Sequence, residues 1–130
     1  MWNYLLIAVG GALGSVLRYW FSGVVAQQVG ETFPIGTLLV NVTGSFAIGL
    51  FATATGVDGA LLVRPAIRTL FMVGIFGGYT TFSSFSLQTL NLARDGDWFR
   101  AGCNVVLSVA LCLFAVWLGH VAALGFHKTR

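Results

Sequence analysis

Residues 69–93, TLFMVGIFGGYTTFSSFSLQTLNLA, form an uncharged run of 25 residues, longer than the roughly 20 that a helix needs to cross the hydrocarbon core of a bilayer. Its middle is unusual. Of the ten residues 77–86, GGYTTFSSFS, seven are Gly, Ser or Thr, where Leu and Val would make a better lipid-facing surface. The segment predicts a membrane span broken near its centre, with the break at residues 77–80. Non-helical backbone at membrane depth persists only where it is buried in protein or lines a cavity, and carbonyls freed in such breaks can coordinate a cation. Phe82 and Phe85 follow at i and i+3 among hydroxyls. An aromatic ring has a positive edge, so a ring turned edge-on offers an anion a weakly attractive surface.

Working outward, residues 32–57 are a second uncharged run of 26, and residues 101–127 a third of 27 apart from His120 and His127. Before Glu31 the chain carries a single side-chain charge, Arg18. The expectation is one all-α transmembrane domain over residues 1–130, with helices at about 4–26, 34–56, 67–93 and 101–125. A secretory signal competes for the first of these, but no basic stretch precedes it and the apolar run is too long, so it is read as a retained helix. Composition agrees: 57% of residues are hydrophobic and 8% charged, too little charge to coat a water-soluble surface. Trp2, Tyr4, Tyr19, Trp20, Trp98 and Phe99 flank the expected spans as interfacial anchors. The connections are short and hold Gly30, Gly59, Pro65 and the Asp95-Gly96-Asp97 turn. Cys103 and Cys112 match neither a metal site nor a redox pair and read as small buried hydrophobes. The net charge of +3 is scattered, which gives no footprint for nucleic acid.

Four spans put Arg64, Arg68, Lys128 and Arg130 on one side, and Arg94 and Arg100, with Arg18 close by, on the other. So weak a positive-inside bias allows insertion both ways up and an antiparallel dimer of opposite orientations; if Arg18 is not counted, the bias is real and one orientation results. Both outcomes stand on the charge count. Intramembrane acids mark proton-coupled transporters, yet Glu31, Asp58, Asp95 and Asp97 all fall in expected connections. That removes the main support for a small four-helix, dual-topology exporter of cations, the natural rival. The polar residues inside the spans are neutral. Thr37, Asn41 and Ser45 recur at i, i+4 and i+8, as do Asn104, Ser108 and Cys112, so each set shares a helical face. Uncharged donors suit a path that replaces the water around a small anion and still releases it. The competing reading is ordinary hydrogen bonding between helices; for Asn41, whose amide is costly to bury in lipid, the pore is the preferred reading.

Gly10-Gly11-Ala12-Leu13-Gly14 with Arg18-Tyr19, then Gly36-Thr37-Leu38-Leu39-Val40-Asn41-Val42-Thr43-Gly44-Ser45-Phe46, then the stretch 77–86, together resemble the CrcB/Fluc fluoride channels across three of four spans in order. The resemblance implies a passive, fluoride-selective channel, not an enzyme, in the bacterial plasma (inner) membrane, built as a dual-topology homodimer with two pores. It implies that Asn41, Phe82, Ser83, Phe85 and Ser108 line the anion path. Gly77 and Thr80 would hold a structural sodium ion through backbone carbonyls, and Arg18 would have a vestibule or structural role. The fourth helix departs from the family pattern, because Asn104 and Cys112 accompany Ser108 where hydroxyls are usual. Hydrogen fluoride crosses bilayers when neutral and dissociates inside, so a passive anion route driven by an inside-negative potential lowers fluoride toxicity. A small transporter of another substrate and a structural subunit of a larger membrane complex are the other readings.

Overall fold

The computed structural model describes residues 1–30 and 32–127. Among these residues the regular structure is entirely helical. Four helices are long and apolar enough to cross a membrane, and the protein is a multi-pass membrane protein. Helix α1 is Trp2–Val29 and α2 is Ile35–Ala54. The third span, Pro65–Arg94, is composite: α3 (Pro65–Thr69), a π-helical stretch Leu70–Phe76, α4 (Gly77–Tyr79) and α5 (Phe82–Arg94). The fourth span is α6, Trp98–His127. Helix α1 continues to Val29, so Tyr19 and Trp20 lie about 15 Å short of its end at the helical rise per residue. Asp58, Asp95 and Asp97 fall in connections, while Glu31, Lys128 and Arg130 lie outside the described residues.

Glycine sets how closely the spans approach. Along α1, Gly10 and Gly14 are buried against Gly74, Ile75 and Tyr79 of the third span, and Gly78 returns the contact to Gly11. A Cβ on Gly10 would stand 2.7 Å from the Leu70 carbonyl oxygen, and one on Gly78 would stand 2.9 Å from the Gly11 Cα, so these positions admit no side chain without backbone movement. Helices α2 and α6 pair in the same manner, Gly49 against Val116 and Gly119 against Phe46 and Leu50. Close backbone approach replaces the hydrophobic drive that lipid does not supply between helices.

The π-helical stretch widens the third span by one residue per turn. Phe71 and Phe76, five residues apart, consequently reach the same neighbour: their ring centroids lie 4.9 Å and 5.8 Å from that of Phe51 on α2. This aromatic cluster fills the half of the span before the break. After it, α5 is short and turns its buried Phe85 inward. Asp97 caps the start of α6 by accepting from the Arg100 N–H at 3.1 Å, and pairs with the Arg100 guanidinium at 3.0 Å. Gly96, at φ 82°, makes the preceding turn.

Candidate functional site

The break in the third span lies one step beyond the position expected from the glycines. Gly77 is helical at φ −64°, ψ −37°, and the extended residues are Thr80 (φ −78°, ψ 156°) and Thr81 (φ −152°, ψ 112°). The reason is visible on both sides. Gly78 packs against Gly11 of α1 and Gly77 continues the helix into open space, whereas Thr81 caps α5, its hydroxyl accepting the Ser84 N–H at 3.1 Å as an N-cap threonine does.

Asn41 holds this break from α2. Its Nδ2 donates to the Thr81 carbonyl at 2.9 Å and its Oδ1 accepts the Thr81 N–H at 2.7 Å. The side-chain amide thus satisfies both backbone groups of one extended residue, in the way a neighbouring strand would. Because the Thr81 N–H is turned to Asn41, it does not close the next helical turn on the Gly77 carbonyl. Arg18 reaches the Thr80 carbonyl with Nη1 at 3.3 Å, and Ser15 the Gly78 carbonyl at 3.4 Å. Arg18 therefore sits at the depth of the break and not at the exit of the first span. Thr81 also donates to Ser84 Oγ at 3.0 Å and meets Ser83 Oγ at 3.2 Å.

Two electrostatic ends face each other here. The first half of the span ends in carbonyls and the partial negative charge of a helix C-terminus; α5 begins with N–H groups of Phe82 and Ser83 that lack intrahelical acceptors, and with the opposite partial charge. One break can thus favour a cation on its carbonyl side and an anion on its amide side.

Of the two phenylalanines, Phe85 is 8% exposed and Phe82 is 76% exposed, with ring centroids 5.2 Å apart. Phe85 is covered by its own chain, while Phe82 is left on the outer face with Ser83 and Gly77. Ser108 belongs to a separate buried group. Its hydroxyl donates to Asn104 Oδ1 at 3.5 Å, Asn104 Nδ2 donates to Thr89 Oγ1 at 2.8 Å, and the Thr89 hydroxyl donates to the Phe85 carbonyl at 2.8 Å. Asn104 ties α6 to α5, and the phenylalanine pair connects this group to the break.

A cavity of about 400 Å³ opens beside the break, lined by Ser15, Arg18, Tyr19, Ser22, Thr37, Thr81, Ser84 and Gln88. All eight are polar, and the one charge among them is positive. It adjoins a wider cavity of about 790 Å³ that shares Tyr19, Ser22, Thr37 and Gln88 and extends to Asn91, Asp95, Asp97 and Arg100. Ser15, Ser22, Ser84 and Gln88 carried no role in the sequence reading. The signal was present as two stripes at i, i+3 and i+7: Ser15, Arg18 and Ser22 on α1, and Thr81, Ser84 and Gln88 into α5.

Comparison with known proteins adds a family. Residues 5–120 match the family described as CrcB-like protein, Camphor Resistance (CrcB). The chain is 65% identical to a protein of Opitutus terrae over 98% of this chain and 96% of that one, and 66% identical to one of Paramagnetospirillum magneticum over 95% and 96%. A protein of Rhodospirillum rubrum is 60% identical over 93% and 94%. Each of the three is named fluoride-specific ion channel FluC.

Proposed function

The chain belongs to the CrcB family, and on that premise we propose that it is a fluoride-specific passive ion channel that lets fluoride leave the cytoplasm and so lowers its toxicity. The observation that carries this reading is the cavity at the break: among the described residues it has eight polar lining residues, no carboxylate, and a single charge, that of Arg18. A cation path would place acid there. An anion path calls for neutral donors that exchange for water without holding the ion too tightly.

In this reading fluoride enters by the wider cavity and passes Thr37 and Gln88 to reach Thr81 and Ser84. Asn41 keeps the break open there, and its pore role is exercised through Thr81. The ion then moves along Ser83 and the edges of Phe82 and Phe85 toward Ser108. Phe82 is completed by a second copy, since one chain leaves it uncovered. We place the protein in the bacterial inner membrane as an antiparallel, dual-topology homodimer with two paths. The small residue Gly77 and the apolar Phe82 on the free face support that assembly.

The structural sodium ion belongs to the same proposal. Gly77 lies on the exposed face and its carbonyl has lost its helical donor to Asn41, and a side chain at Gly77 would meet only the Met72 carbonyl oxygen, at 3.8 Å. The Thr80 carbonyl carries the 3.3 Å contact from Arg18 and keeps a second lone pair. Neutral oxygens without a carboxylate fit a hard monovalent cation better than calcium or magnesium. Bound there, sodium would neutralise the converging carbonyl dipoles; it has no part in conduction.

Proteoliposomes loaded with fluoride or with chloride, given a potassium ionophore and no proton gradient, test the function. The expected result is rapid efflux of fluoride and retention of chloride. Efflux only when a proton gradient is imposed would replace the channel with a coupled transporter.

A further inference from the structure

The two ends of the helical bundle use their charges differently. Where α5 gives way to α6, Arg100 is paired with Asp97 at 3.0 Å, and Asp95 lies in the same turn. The opposite end gathers the start of α1, the end of α2 and the start of the third span, and Trp2 and Tyr4 are exposed there as rings at a membrane interface are. Its described arginines, Arg64 and Arg68, are exposed, and among the described residues neither is in an ion pair. The one carboxylate of this connection, Asp58, is also exposed, on the turn closed by the Gly59 N–H and the Gly56 carbonyl.

Local structure fixes how the arginines are presented. The Leu61 N–H returns to the Ala54 carbonyl at 2.9 Å, which folds the connection back over the end of α2. Arg64 is extended before Pro65, as a residue preceding proline prefers. The Arg68 N–H then bonds the Arg64 carbonyl at 3.1 Å, so the two side chains start one helical turn apart and are neighbours. Arg68 Nε donates to Oγ1 of the buried Thr55 at 3.4 Å. That contact anchors the guanidinium through one of its five N–H groups and leaves four for a ligand. Beside the arginines, Val57 and Leu62 are fully exposed and Leu61 is half-exposed. Facing water they would be a liability; at the membrane surface they have an apolar phase to enter.

We propose that the connection between the second and third spans, residues 57–68, is a binding site for an anionic phospholipid. Arg64 and Arg68 take the phosphate through paired N–H···O bonds, and Val57, Leu61 and Leu62 take the glycerol and acyl end. Unpaired cations next to exposed apolar side chains match both parts of that one ligand, and the end carrying the Asp97–Arg100 pair offers neither. The proposal is independent of the channel reading.

The test is a titration of the purified protein in neutral detergent with phosphatidylglycerol and with phosphatidylcholine, read by native mass spectrometry. The wild type should bind phosphatidylglycerol more tightly. Each arginine near an anionic headgroup is worth about fivefold in affinity, so the double variant Arg64→Gln/Arg68→Gln should lose about 25-fold for phosphatidylglycerol and little for phosphatidylcholine. Arg64→Gln alone leaves the Arg68 contact to Thr55 in place and should lose about fivefold; it decides if the double variant does not fold. Arg94→Gln, at the other end, should bind as the wild type does. Thermal unfolding separates the two sources of phosphate: phosphatidylglycerol should raise the unfolding temperature of the wild type, and inorganic phosphate at equal ionic strength should not. Equal affinity for the two lipids, unchanged affinity in the arginine variants, or an equal loss in Arg94→Gln overturns the site. Stabilisation by inorganic phosphate as large as that by the lipid overturns its assignment to a phospholipid.

Discussion

The two halves of the third span are built for different tasks from adjacent sequence. Before the break, the π-helical stretch and α4 press Gly74 and Gly78 against the glycines of α1 and stack Phe71 and Phe76 on Phe51. No hydroxyl of that half lines either cavity until Thr81 is reached. After the break, α5 turns Ser84, Gln88 and Asn91 to the cavities, and Asp95 follows at its C-terminal end. The first half is a scaffold whose precision comes from the absence of side chains; the second is a wall whose chemistry comes from their presence. Asn41 joins them by satisfying the residue that belongs to neither.

The contrast breaks most severely at the scaffold. Gly14→Val places a side chain into the Ile75 and Tyr79 backbone, and overpacking against main chain should destabilise by about 3 kcal/mol or more. Little or no folded protein is expected after detergent extraction, judged by size-exclusion profile. Gly77→Ala, with open space around its Cβ, should yield protein that extracts and elutes normally; equal losses in both would erase the distinction between packed and open glycines.

Asn41→Leu comes next. It leaves the Thr81 N–H and carbonyl unpaired, each costing about 1–3 kcal/mol, so fluoride efflux should fall about a hundredfold with a lowered unfolding temperature. Unchanged efflux would mean that the break does not depend on its splint. The phenylalanines sharpen the comparison within the wall itself. Phe82→Ile, at an exposed position, should shift stability by less than about 0.5 kcal/mol while cutting fluoride flux; Phe85→Ile, at a buried one, should lose flux and about 1–2 kcal/mol of stability together. Thermal unfolding measured beside efflux separates the two. Smallest is Arg18→Lys, which keeps the charge but not the guanidinium contact to Thr80. A roughly threefold fall in flux is expected from one such hydrogen bond; a fall as large as that of Asn41→Leu would make Arg18 a principal support of the path.

The four spans were legible because uncharged runs exceed the bilayer thickness, and that property needs no tertiary information. The break was legible as an excess of Gly, Ser and Thr, but its position was drawn to Gly77 and Gly78. Gly78 answers to Gly11 of α1, more than sixty residues away in the chain, a demand that local sequence does not display, and Gly77 continues the helix on the outer face. The T-x-x-S pattern of Thr81 and Ser84 does display the start of α5, and it marks the break correctly. The π-helical stretch leaves no pattern of its own, since residues 70–76 read equally well as α-helix. Asn41 was singled out for the cost of burying its amide; that the amide pairs with Thr81 follows only from the packing of α2 against the broken span. Gln88 was passed over because a polar residue in the last half of a span reads as an approach to the interface.

The central claim, that this chain forms a passive path selective for fluoride, is most directly tested by the zero-current potential of reconstituted protein in a planar bilayer. That potential should move by about 59 mV for each tenfold change in the fluoride gradient, and should not respond to chloride or to pH. A potential that follows chloride as closely as fluoride, or that shifts with the proton gradient at fixed fluoride, would contradict the account.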